Sequence, residues 1–269
     1  MVVSRSGYYR YSRLKELHKD CSIEMQLEIE MKALHQQTRA SYGSRRMSQA
    51  LKKRGFAVGR YKVRKLMLHH KIACKQRRRY RVTTQSDHTL PIAENVLNRN
   101  FKTCMPNQVW VADITCIWTQ EGWLYLAAIV DLFSRRAVGW AIADHMQSKL
   151  IEDAFFMAIG RRQPISQRLM HHSDRGSQYT SYFYQNILKN FGITASMNRR
   201  ANCWDNAVME RFFGSLKSER TNGTKYVTHE QAKNDVIDYI EMFYNNNRLH
   251  SSLNYQSPME FEQKYFAFP

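Results

Sequence analysis

The sequence predicts an α/β protein: a sheet-containing core over 106–220, read β-β-β-α-β-α-β-α, behind a small helical front end. Three observations lead there. Apolar runs of strand length, VWVADITCIW, LYLAAIVDLF and AVGWAIAD, follow one another closely from residue 109. Their links, TQEG at 119–122 and SRR at 134–136, are too short for anything but antiparallel neighbours, so the three form a meander. Charge then divides the chain. Residues 1–105 hold 24 Lys+Arg against 7 Asp+Glu, a net of +17, whereas 106–269 hold 17 against 16, a net of +1.

The front end, 1–74, reads as three helices. The first covers 12–37, with Leu27, Met31 and Leu34 at helical spacing. The second covers 44–54, with Met47, Ala50 and Leu51 on one face and Gly55 as its stop. The third covers 59–70, with Val63, Leu66 and Met67 inward and Arg60, Lys62, Arg64 and Lys65 outward. Two short helices with a tight link, the second one basic, fit a helix-turn-helix, although a plain helical hairpin has the same pattern. Residues 75–105 lack periodicity and read as a basic linker; Arg77, Arg78 and Arg79 in KQRRRYR are placed to lie on phosphates. The whole front end is thus a polyanion-binding region, and nucleic acid is the expected partner.

After the meander a helix is expected at 147–161, a strand at 168–172, a helix at 177–190 with Phe183, Ile187 and Leu188 inward, and a strand at 193–197. A helix from about 205 to 219 closes the core. The last part, 221–269, is a helical extension: Thr228 is an N-cap for a helix over 229–246, burying Ala232, Val236, Ile240 and Phe243. The stretch 244–258 reads as a polar loop.

Composition removes several classes. No run of 18 uncharged apolar residues exists, so no membrane span is expected, and the N-terminus lacks the apolar stretch of a signal peptide. Cys21, Cys74, Cys104, Cys116 and Cys203 show no paired spacing, which points to reduced thiols in a cytoplasmic protein. His69, His70 and Cys74 lack zinc-ligand spacing.

Three acids stand where a sheet enzyme places its site. Asp113 interrupts the most apolar strand, which is unfavourable unless the carboxylate is paired or binds metal. Asp174 lies just past the end of a strand, where ligands of such sheets gather. Glu210 lies on the closing helix, sharing one face with Asn206, Gly214 and Lys217. Phosphodiester cleavage needs an activated attacking oxygen and charge stabilisation on the leaving one. Two Mg²⁺ ions (Mn²⁺ as a substitute) held by carboxylates serve both ends. Lys217, ~10.5 Å along the helix from Glu210, is placed to hold a DNA phosphate, and Asn206 to contact DNA. By spacing alone this suggests a metal nuclease and does not decide it.

The surroundings are more specific. WVADITCIW, HHSDRGSQYTS and NCWDNAVMERFFGSLKSE closely resemble the retroviral-integrase-type core of bacterial insertion-sequence transposases. That family's motif is Asp, Asp, 35 residues, Glu; here 35 residues separate Asp174 from Glu210, and Lys217 fills the basic position seven residues on. YGSRRMSQALKKRGFAVGRYKVRKLM and YNNNRLHSSLNYQSP extend the resemblance over most of 42–260, to the downstream-frame product of the insertion-sequence-three family. The resemblance implies a ribonuclease-H-like core and Asp113, Asp174 and Glu210 as catalytic metal ligands. It also implies cleavage at element ends, strand transfer by the freed 3′-OH, at least two protomers on double-stranded DNA, and a possible upstream-frame fusion partner. Cys116 and Ala201 depart from common residues of that family, away from the triad. A DNA-binding repressor and a different ribonuclease-H-like nuclease are the rival readings; the triad with Lys217 argues against the first, the spacing against the second.

Other residues have plainer roles. Asp131, with Ser134 and Arg135, is a turn former or a fourth acid near the metals. His171 and His172 point to opposite sheet faces, at least one of them into packing. Asp205 is the expected N-cap of the closing helix. Trp110, Trp118, Trp123 and Trp140 are core or rim aromatics.

Overall fold

The computed structural model describes residues 4–75, 92–164, 168–199 and 203–267, so the Arg77–Arg79 run lies outside the described residues. The chain forms two compact units, Met1–Gln76 and Arg77–Pro269.

In the first unit, α1 (Arg5–Gln37), α2 (Ser44–Lys53) and α3 (Arg60–His69) bury Leu27, Met31, Leu34, Met47, Leu51, Val63 and Met67 together. Gly55, at φ 90°, lets the chain turn left-handed after α2; its amide bonds Lys52 and that of Phe56 bonds Leu51, which caps the last carbonyls. α3 closes in the same way with Lys71 at φ 53°. α1 is tied to the other two by ion pairs of Glu24 with Lys62 at 3.0 Å and of Glu30 with Arg54, and Glu28 lies 3.1 Å from His70.

The second unit is a five-stranded sheet in the order β3-β2-β1-β4-β5. β1 (Val109–Thr119), β2 (Gly122–Asp131) and β3 (Ala137–Ala143) form the expected antiparallel meander. β4 (Met170–Ser173) runs parallel to β1, and β5 (Thr194–Met197) parallel to β4. Alternation along β1 sends Trp110 and Ala112 into the core beneath α4 (Ser148–Arg162). α4 lies very close on β3: a Cβ added at Gly139 would stand 2.2 Å from the Ala154 carbonyl oxygen.

Several elements differ in detail from expectation. The helix expected at 177–190 is two, α5 (Ser177–Thr180) and α6 (Tyr182–Asn190), because Ser181 leaves the helical conformation and caps α6 by accepting from the Tyr184 amide. The break shifts the helical phase, so Tyr184 is buried and Phe183, expected inward, is exposed. The closing helix has three parts: a 3-10 turn (Cys203–Asn206), α7 (Ala207–Leu216) and a π turn (Lys217–Thr221). α8 (His229–Ile237) likewise continues as a π segment (Asp238–Asn245), and α9 (Pro258–Ala267) is the last described element. Residues 92–99, expected in a linker, belong to the second unit. The Leu97 amide donates to Ser196 Oγ at 3.2 Å, and the Met197 amide to the Glu94 carbonyl. Among the described residues no helix is long and apolar enough to cross a membrane.

Candidate active site

The parallel pairing of β1 and β4 explains how two distant aspartates meet. Val109 lies opposite Met170, Trp110 opposite His171 and Val111 opposite His172. Carried two residues further, this register sets Asp113 level with Asp174, just beyond the last residue of β4. Asp113 is half-buried, and its Oδ1 accepts from the Ile114 amide at 2.8 Å. Asp174 is held by a local turn in which its Oδ1 accepts from the Gly176 amide at 3.0 Å. A Cβ at Gly176 would stand 3.1 Å from that same oxygen, so a glycine fits there.

α7 packs against β1 and brings the third acid. Glu210 is exposed on its first turn. The electrostatics join the set. Burial first, then the charge of Asp174 and that of Glu210, push the Asp113 carboxyl well above the usual carboxylate range. The Ile114 amide and Lys217 pull it the other way. Lys217 is half-buried at the start of the π turn. Asp174, Glu210 and Lys217 therefore all lie within electrostatic reach of Asp113. As the side chains stand, no group of three His, Cys, Asp or Glu among the described residues is arranged around one metal position. The donor chemistry nevertheless suits Mg²⁺ or Mn²⁺, which take carboxylate oxygens and keep several waters. The repulsion that raises Asp113 is the kind a divalent cation relieves.

Sequence reasoning missed Tyr179. Its ring is buried, and its hydroxyl is pushed well above the usual range by burial and then by the charges of Asp113 and Asp174, so it lies within their electrostatic reach. Its only signal was its place within HHSDRGSQYTS.

Asn206, expected to contact DNA, is buried instead. Its Nδ2 donates to the Ala112 carbonyl at 3.0 Å, next to Asp113, while its buried Oδ1 has no partner. The reason is phase. At φ −118° Asn206 precedes the α-helical conformation and does not share the outward face of Glu210. Asp205 is not an N-cap either. It is fully buried, and its carboxylate accepts from Asn95 Nδ2, Arg99 Nε and the Arg199 backbone and guanidinium. Burial raises this carboxyl, but those hydrogen bonds outweigh it and hold it well below the usual range.

The two histidines part as alternation requires. His171 faces the α4 side, 3.1 Å from the Tyr184 hydroxyl, and burial pushes it down to about 3. His172 faces the other side, between Ser196 Oγ, Asn198 Oδ1 and the Asp205 carbonyl. Both are packing groups. Asp131 accepts from the Ser134 amide and hydroxyl and from the Asn107 amide, which makes it a turn former. Trp110 is core and Trp140 bonds Glu241, while Trp118 and Trp123 are exposed, edge to face at 4.9 Å.

In the first unit, α3 exposes Arg60, Arg64 and Lys65 together with Tyr61 and Leu68. Lys62 is exposed as well and pairs with Glu24 of α1 at 3.0 Å.

Comparison with known proteins agrees with this architecture. Residues 104–203 and 210–266 match models of the integrase core domain, and residues 22–80 match a helix-turn-helix-like domain. An uncharacterized 31 kDa protein of insertion element IS600 from Shigella sonnei is 44% identical over 98% of this chain and 96% of its own length. The transposase of IS904 from Lactococcus lactis is 40% identical over 88% and 93%. Transposase InsF of IS3A from Escherichia coli is 35% identical over 98% and 92%. Solved structures that align at lower similarity include the simian T-cell lymphotropic virus intasome. It shows 14% identity and a TM-score of 0.48, over 86% of this chain and 74% of that one. With relatives this similar along nearly its whole length, the chain belongs to the integrase-core transposases of bacterial insertion sequences.

Proposed function

We propose that this protein cuts the DNA at the ends of its element and joins the freed 3′-OH to a second phosphodiester, with Asp113, Asp174 and Glu210 as the metal-binding catalytic set. The observation that carries the reading is the electrostatic influence of Asp174, Glu210 and Lys217 on Asp113, in a chain of the transposase family. Bound there, two Mg²⁺ ions would supply Lewis acidity at the attacking and leaving oxygens. With two ions, the three carboxylates need not all reach one of them. Asp113, on which the charges of both other acids act, would be the group shared between the ions. Lys217 would hold a phosphate oxygen beside the cut, and the half-burial of Asp113 and Lys217 would strengthen that hold by excluding water. Arg60, Arg64 and Lys65 on α3, and Arg77, Arg78 and Arg79, would bind DNA phosphates. Two element ends must be held at once, so at least two protomers assemble on the DNA.

The test is a cleavage and joining assay on labelled element-end DNA, with Mg²⁺ or with EDTA. Wild type should cut and join only with metal. Asp113→Asn, Asp174→Asn and Glu210→Gln should each abolish both steps while DNA binding persists. Turnover near wild type in any of the three would remove that residue from the catalytic set.

A further inference from the structure

We propose that Trp204, in the turn whose Asp205 holds Arg99 and Arg199, is a stacking platform for an unpaired base of the DNA flanking the cut. The proposal rests on the DNA-cleaving reading above and adds a contact to it. Trp204 is 70% exposed, the most exposed tryptophan of the described residues. Such an indole in water is unfavourable, and it is not on a loose tip. The next residue, Asp205, is fully buried and holds Asn95, Arg99 and Arg199. Its carbonyl accepts from His172. The residue after that, Asn206, is bonded to Ala112, the neighbour of Asp113. Two consecutive buried anchors therefore fix the turn from which the indole projects, and the second is bonded to the residue before Asp113.

The charge around it is also of the right kind. Arg99 and Arg199 both bond Asp205, which leaves a net +1, and their side chains remain 45% and 48% exposed. An exposed aromatic on a turn that also binds half-exposed guanidiniums combines a π-face for a single-stranded base with charge for the adjoining phosphate. A base inside a duplex hides its faces in the stack, so the occupant is an unpaired one. Because the turn is already ordered, little conformational freedom remains to be lost on binding.

The test reads binding in EDTA, so it does not depend on turnover. The probe is an element-end duplex extended past the cut by a short oligothymidylate strand, either intact or abasic at one position at a time. Wild type should lose about tenfold in affinity when one particular flanking base is missing. Trp204→Ala should lose about as much on the intact probe and nothing more on that abasic one, while Trp204→Phe should keep most of the wild-type affinity. Equal binding of the intact probe by wild type and Trp204→Ala would overturn the proposal. So would an abasic penalty of the same size in both proteins. The Glu210→Gln cleavage result reports separately on the reading beneath it.

Discussion

Replacing Asp205 by Asn tests whether the site is assembled from tertiary anchors. The carboxylate accepts from Asn95 Nδ2 at 2.8 Å, Arg99 Nε at 2.8 Å, and the Arg199 amide, Nε and Nη2 at 2.9, 3.1 and 3.2 Å. An amide keeps one acceptor and turns an NH₂ toward donors. Hydrogen bonds to a charged group contribute about 1.5–3 kcal/mol each when fully buried. Both guanidiniums are about half exposed and would recover water, so their share is heavily discounted. What remains is about 2–3 kcal/mol, mainly from Asn95 and the Arg199 amide. The loss should be local, because Asp205 latches residues 95–99 to the turn before α7. Amide exchange at Leu97 and Met197, whose hydrogens go to Ser196 and Glu94, should accelerate by about 30- to 150-fold. Mass-spectrometric exchange on peptides covering 92–99 and 194–199 measures it. Acid gives a second signature. The folded pKa lies below the unfolded value of about 3.9, so the stabilisation is complete above that value and is lost as pH falls through the folded one. Wild-type protection should fade only below about pH 4, and Asp205→Asn should show no such step. Exchange at Leu97 and Met197 within twofold of wild type, in a folded variant, would refute the latch.

Gly139→Ala forces a methyl against the α4 backbone, with no flexible side chain to yield; it should destabilise by about 3 kcal/mol, read as a lower urea midpoint at constant slope. A midpoint unchanged within error would mean that α4 does not lie on β3 as described. Arg248 makes a buried bidentate pair with Glu219, at 2.8 and 2.7 Å, and also bonds Ser215. Arg248→Met removes the buried cation from that carboxylate, which keeps the Tyr239 hydroxyl as a donor, and should destabilise by about 3–5 kcal/mol, whereas Arg248→Met with Glu219→Leu should recover most of the loss; an additive double variant would show the pair to be uncoupled. Asn206→Leu removes the bond to Ala112 and should lower stability by only about 1 kcal/mol, yet raise the Mg²⁺ concentration for half-maximal cleavage, since the bond sets α7 against β1. An unchanged metal dependence would reduce Asn206 to packing.

What the sequence disclosed depended on range. The meander followed from three apolar runs and their short links, and so did the placement of Asp113 in a strand, Asp174 just past a strand end and Glu210 on a helix. Local periodicity carries that much. Asn206 was misread because its spacing from Glu210 implies a shared helical face only if both are α-helical, and residues 203–206 are a 3-10 turn. Phe183 was misread for the same reason, through the break at Ser181. The Asp205 hub joins residues more than 100 positions apart, and Arg248 reaches Glu219 across a helix and two turns. Neither leaves a periodic trace, because each partner is an ordinary polar residue in its own segment. The π turns carry no compositional mark at all.

The unequal lengths of β1 and β4 bear on how this chain can vary. β1 runs 11 residues and β4 only 4, and their ladder stops at Val111. Asp113 thus occupies a gap left by a missing length of strand. Substitutions at 174–176 that favour strand would let β4 grow along β1 and fill the gap. They would add hydrogen bonds and remove the room a phosphate needs. In this stretch, selection for a sturdier sheet and selection for a working site oppose each other, so screens for thermal tolerance alone should enrich changes here that abolish transposition.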